Sequence, residues 1–173
     1  MNEQTAQFLP ALPTNLSRQA IYDLAQRVAS KVGYTPGTPL GDIIKKLGGK
    51  IEYQDMAQWY ASESGSIEVA GPKDFRIYLS QFTSSARDNF TLAHELGHYV
   101  LHSKSGKLPI KVSRYGSDRV EWEANWFAAA FLMPAQEFRE AVALGMGEQE
   151  LAAKFQTSAE AARIRAKELG LAL

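Results

Sequence analysis

The chain predicts an α+β fold, with helices first, then short strands, then helices to the end. Three observations carry that reading. Apolar residues recur at helical spacing towards both ends of the chain. Residues 50–80 instead break into short β-rich pieces divided by turn residues. Phe90 to His102 is apolar on nearly every side, the pattern of a buried helix. The expected architecture is a small, mostly antiparallel sheet packed on helices, with that buried helix and a second long helix downstream.

Residues 1–14 carry Pro10 and Pro13 and read as a flexible N-terminal tail. Ser17 caps a helix to about Lys31, with Ile21, Leu24, Ala25, Val28 and Val32 on its buried face and Gly33 as its stop. Pro39 opens a short helix through Ile43, Ile44 and Leu47, ended by Gly48-Gly49. Strands are expected at Lys50–Gln54, near Trp59–Ala61, at Ser66–Ala70 and at Phe75–Ser80. The turns between them are Glu63-Ser64-Gly65 and Gly71-Pro72. The buried helix runs from about Ser84 to His102, and 103–117 is a polar loop. A long helix covers about Asp118–Met133 and breaks at Pro134, which begins another to about Leu144. Glu148–Phe155 and Ala159–Leu169 are helical. The main domain is expected over 15–145, with a helix-turn-helix-like pair over 146–173 packed on the same domain.

Composition narrows the function. The 173 residues are 45% apolar, enough for one domain with a real core. Lys+Arg and Asp+Glu number 19 each, which argues against a general nucleic-acid or membrane-surface binder. Without cysteine there is no disulfide framework and no thiolate zinc site. No apolar run approaches the roughly 20 residues that span a bilayer, and the N-terminus lacks a signal pattern. A soluble, cytoplasmic protein is expected.

Within the buried helix stands His94-Glu95-Leu96-Gly97-His98. Histidines four apart leave one face of a helix together and can grip one ion. Glu95 comes round to the edge of that face, where it reaches a water without being a ligand. Two imidazoles and a carboxylate in this spacing are the parts of a zinc-dependent peptide-bond hydrolase. In an apolar helix they would be costly to bury without such a role.

Catalytic zinc takes three protein ligands. His102 lies on the same helix, but three ligands at i, i+4 and i+8 would span about 12 Å of axial rise, too far for one ion. His102 is expected as a helix-end residue, packing or donating to the last carbonyls. On the next long helix, Glu121, Ala124, Asn125 and Ala128 share a stripe. Small Ala124 and Ala128 let two helices approach, so that Glu121 reaches the ion and Asn125 hydrogen-bonds a ligating histidine. Glu123 points to another face and suits a solvated first turn.

Phe90-Thr91-Leu92-Ala93-His94-Glu95-Leu96-Gly97-His98, followed by Glu121-x-x-Ala124-Asn125-x-Phe127-Ala128-Ala129-x-x-Leu132-Met133-Pro134, resembles the ImmA/IrrE family of metallo-endopeptidases. The resemblance runs from about Ile67 to Pro134. It implies a gluzincin-like fold, His94, His98 and Glu121 as metal ligands, and Glu95 as the acid/base. It further implies a protein substrate, a helix-turn-helix repressor or an antitoxin, cleaved to switch transcription in a mobile-element, stress-response or toxin–antitoxin setting. One Zn²⁺ is expected, with Mn²⁺ as the alternative, because histidine–carboxylate sites accept several divalent ions. An oxyanion-stabilising or substrate-contacting donor is still needed, and Arg114, Tyr115, Tyr78 and His102 are the candidates. Phe75–Ser80 is expected as an edge strand able to pair with an extended substrate.

Two rival functions remain at this point. Residues 151–170 resemble a helix-turn-helix with Arg163, Arg165 and Lys167 on its second helix, which would bind DNA. Their charges nearly offset, and direct DNA binding is disfavoured. The other rival is a non-catalytic regulator that binds a repressor and keeps its metal for stability. Glu95 speaks against it, since a structural site gains little from a spare carboxylate beside an open position.

Overall fold

The computed structural model describes residues 7–61, 66–112 and 118–173. Ser17 starts α1, Arg18–Val32, by accepting the Ala20 N–H, and Gly33 ends it in the left-handed conformation at φ 69°. The short α2, Gly41–Lys46, leads into strand β2, Gly49–Gln54. Where a strand was expected near Trp59–Ala61 there is a helix, α3, Met56–Ala61. Its cause is local. The Asp55 carboxylate accepts the Gln58 N–H at 2.7 Å while the Gln58 side chain accepts the Asp55 N–H at 3.1 Å, a reciprocal cap that starts a helix. The Glu63-Ser64-Gly65 turn lies outside the described residues.

The sheet is mixed, which corrects the mostly antiparallel expectation. Its strands are β1, Leu9–Pro10; β2; β3, Ile67–Gly71; β4, Asp74–Ser80; and β5, Ile110–Val112, in the spatial order β1-β5-β3-β4-β2. β3 runs antiparallel to β4 and to β5, while β2 is parallel to β4 and β1 is parallel to β5. The parallel pairs join segments far apart in sequence, which hairpin logic does not anticipate. β5 falls in the expected 103–117 loop, and β1 falls in the expected tail. Leu9 donates its N–H to the Pro109 carbonyl at 2.8 Å, so this part of residues 1–14 is tied to the sheet. β4 is not an edge. Ile77 lies opposite Ile51 on one side and Ile67 on the other.

Behind the sheet, α4, Ser85–Gly97, runs into a π-helical turn, His98–His102. Ser84 caps α4 by accepting the Arg87 N–H. Asp118 caps α5, Arg119–Leu132, through the amides of Val120 and Glu121. α4 and α5 lie very close. A Cβ placed on Gly97 would sit 3.2 Å from the Ala124 Cα and 3.2 Å from the Phe127 Cβ. Ala124, Phe127, Ala128 and Phe131 are fully buried, so α5 is the central helix of the core.

The remaining helices, α6, Ala135–Ala143, α7, Glu148–Phe155, and α8, Ala159–Glu168, close one end. Phe138 stacks on Phe155 at 5.4 Å, and Leu151, Phe155, Ala162 and Ala166 join the common core. Arg165 is fully buried, donates from Nε to the Met133 carbonyl at 3.0 Å and lies over the Tyr22 ring. It is therefore not presented for DNA, which removes one of the three cations that the helix-turn-helix reading relies on. No helix among the described residues is long and apolar enough to cross a membrane.

The close approach at Gly97 is testable. Gly97→Val is expected to force α4 and α5 apart and destabilise the chain by about 1–3 kcal/mol. A urea titration should show a lower midpoint; an unchanged midpoint would mean that the two helices have room to spare.

Candidate metal centre

α4 presents His94 and His98 from adjacent turns, and the first turn of α5 presents Glu121 between them. The Nε2 atoms of the two histidines are 3.0 Å apart. Glu121 Oε2 lies 3.1 Å from His94 Nε2, and its Oε1 lies 3.3 Å from His98 Nε2. Bonds of about 2.0–2.1 Å at tetrahedral angles would set ligand atoms roughly 3.3–3.4 Å apart. The three side chains thus have the spacing of one shared ion.

The hydrogen bonds behind them say what faces inward. His94 Nδ1 sits 2.9 Å from Asn125 Oδ1, an acceptor, so this nitrogen carries the proton and His94 Nε2 is left as a lone pair. His102 Nε2 sits 3.1 Å from Glu123 Oε2, which fixes the His102 proton there. His102 Nδ1 then accepts from His98 Nδ1 at 2.9 Å, and His98 Nε2 becomes a second lone pair. Two bare nitrogens and a carboxylate face one another across about 3 Å, an arrangement that repels itself unless a cation sits among them.

Proton affinities show how far a proton alone can relieve this cluster. Burial opposes a charged His94, yet the hydrogen bond to Glu121 and the nearby charges of Glu95 and Glu121 raise its pKa. Burial holds His98 down to about 4, with only partial opposition from Glu121. Burial would raise Glu121, but contact with His94 and His98, whenever either carries a proton on Nε2, draws it down to about 2. A proton on His94 answers one of the three contacts; a divalent ion answers all of them.

Glu95 is buried, at 2% exposure, and stands next to His94 without belonging to the His94–His98–Glu121 ligand group. Asn125 is an exposed residue, not a buried one as its stripe suggests, yet its side chain holds His94. Tyr78, on β4, donates its hydroxyl to Glu68 at 3.0 Å, beside the Lys111–Glu68 ion pair. Arg114 and Tyr115 lie outside the described residues.

Glu123 is the residue that sequence reasoning misplaced, while His102 stands packed at the helix end as expected but with partners that the sequence did not reveal. Glu123 is fully buried rather than solvated, and its carboxylate accepts from Thr14, Asn15 and Arg119 as well as His102. Burial would raise its pKa, but those hydrogen bonds lower it. His102 is a buried link between His98 and Glu123, not a donor to the helix-end carbonyls. Over this stretch the backbone widens into the π-helical turn, with Ser103 N–H bonding to the His98 carbonyl at 3.0 Å. A signal was available: His98 and His102 repeat the four-residue spacing of His94 and His98.

Comparison with known sequences adds one finding. The profile of a peptidase family described as IrrE N-terminal-like domain matches residues 44–167, from α2 through nearly all of α8. No match is found among curated proteins.

Metal addition should therefore stabilise the fold. Zinc at about 100 times its dissociation constant is worth about 2.7 kcal/mol, a rise in Tm of roughly 5–10 °C for a chain of this size. Calorimetry of metal-stripped protein with and without zinc measures it. Glu121→Ala should abolish the rise; retention of the full rise would remove Glu121 from the ligand set.

Proposed function

Because the chain belongs to the IrrE N-terminal-like peptidase family, we propose that it is a zinc-dependent metallo-endopeptidase that cleaves a partner transcriptional repressor or antitoxin of helix-turn-helix type in the cytosol. The observation that carries the peptidase chemistry is the convergence of His94, His98 and Glu121, with the Glu95 carboxylate beside them. The choice of a repressor or antitoxin as substrate is supported by the resemblance of the His94–His98 and Glu121–Pro134 motifs to ImmA/IrrE peptidases.

His94, His98 and Glu121 would hold the Zn²⁺, which when bound would supply Lewis acidity towards a water and the scissile carbonyl. The remaining work falls to the chain. Asn125 and His102 fix the tautomers of the two histidines, so that both offer Nε2 inward. Glu95 takes the proton of the attacking water and delivers it to the leaving amine. Mn²⁺ suits the same mixed nitrogen and oxygen donor set and is the alternative ion.

Incubating the protein with a candidate repressor and resolving the products by mass spectrometry tests the proposal. Discrete fragments are expected from the unaltered chain. Glu95→Gln should retain zinc but lose about 10²–10⁴-fold in cleavage rate. Cleavage at an unchanged rate would remove Glu95 from the acid/base role, and an intact repressor with the metal-loaded chain would count against this substrate.

A further inference from the structure

The carboxylate–histidine pair behind a metal ligand normally involves one histidine and one acceptor. Here the support of His98 is two groups long and reaches the far end of the chain. His98 Nδ1 meets His102 Nδ1 at 2.9 Å, and His102 Nε2 meets Glu123 Oε2 at 3.1 Å. Both of these histidines and Glu123 are buried. Glu123 is held in turn from outside α5. Thr14 donates its N–H and its hydroxyl to Oε2, each at 2.8 Å, and Asn15 donates its N–H to Oε1 at 2.9 Å.

The turn that makes those contacts is specific. Asn15 has φ 58°, in the left-handed region, where Asn is among the few side-chain-bearing residues found routinely. That conformation aims two successive backbone N–H groups at one carboxylate, a small anion-binding concavity. Arg119 reinforces it, donating from Nε to Glu123 Oε1 at 3.0 Å while its other end reaches the Leu16 carbonyl. The same guanidinium lies 4.8 Å from the Trp126 ring centre, with Arg18 on the same ring at 5.0 Å.

We propose that His102 and Glu123 are positioning residues for the metal ligand His98, and that the Thr14–Asn15 turn sets their geometry, so that the N-terminal segment is a working part of the metal centre. The inference rests on the metal-binding reading of His94, His98 and Glu121, and on nothing about the substrate. Glu123 keeps the His102 proton on Nε2. His102 therefore offers a lone pair at Nδ1, and His98 must turn its own lone pair towards the ion. Loosening the Thr14–Asn15 turn frees Glu123, and the orientation of His98 becomes less defined.

Zinc affinity of the full chain, measured by competition with a chromophoric chelator, tests this without any substrate. His102→Phe fills the space but offers no nitrogen, and should bind zinc about 10–100-fold more weakly. His102→Gln places an acceptor and a donor at nearly the same separation as the two ring nitrogens, and should recover much of that loss. A purely structural role predicts no such rescue. Thr14→Val removes only the outermost hydroxyl and should weaken zinc by about 2- to 10-fold. Cobalt(II) bound in place of zinc should show an altered visible spectrum in His102→Phe and a near-normal one in His102→Gln. Unaltered zinc affinity and cobalt spectrum in a folded His102→Phe would overturn the proposal. Should that variant not fold, unchanged zinc affinity in Thr14→Val would overturn it equally. An unaltered chain that takes up no zinc would sink the metal centre itself, and the relay with it.

Discussion

The structure depends on one electrostatic constraint: two imidazole lone pairs and a carboxylate aimed at a common point inside the protein. A second proton on His94 relieves only its contact with Glu121, because Asn125 and His102 hold the other histidine protons at Nδ1. Such a cluster, fully buried at His98 and partly buried at His94 and Glu121, is unfavourable unless a cation is present. Much else in the fold serves to hold it. α4 supplies two donors one turn apart. α5 supplies the third from its first turn, where Asp118 caps the helix and places Glu121.

Bringing those helices together requires that almost nothing lie between them. Gly97, inside the metal-binding pentapeptide, contributes no side chain, and Ala124 contributes one methyl. Their backbones approach until a single added carbon on Gly97 would touch Ala124 and Phe127 at 3.2 Å. This is packing in the service of chemistry, because the distance between the helices sets how far Glu121 must reach. The rest of α5 anchors that geometry in the core through Phe127, Ala128 and Phe131. The sheet completes the enclosure, and α6, α7 and α8 close one end.

The sequence made the centre of this arrangement readable, with Asn125 behind it, and left the support of His98 unread. His94, His98 and Glu121 could be found because helical periodicity is rigid: four-residue spacing puts ligands on one face whatever surrounds them. The helix ends at Ser17, Gly33 and Pro134 were equally local signals. The misses share a different cause. β1 and β5 are two and three residues long and pair in parallel across about a hundred residues of chain, so no local pattern marks them. Glu123 looked solvated because its partners, Thr14 and Asn15, come from a segment with no evident structure of its own. His102 was placed at the helix end, where it lies, but its partner Glu123 comes from another helix and went unforeseen. The α3 misreading is different again. Asp55 and Gln58 carried a legible capping signal that the β-rich neighbourhood masked.

Anomalous diffraction at the zinc absorption edge, on crystals of the full chain grown with zinc, would locate the ion between α4 and α5. A single strong peak is expected among His94 Nε2, His98 Nε2 and Glu121, about 2.0–2.1 Å from each ligand atom, with His102 and Glu123 still bonded to one another behind it. A peak coordinated by His102 or Glu123, or no peak between α4 and α5 at saturating zinc, would contradict it.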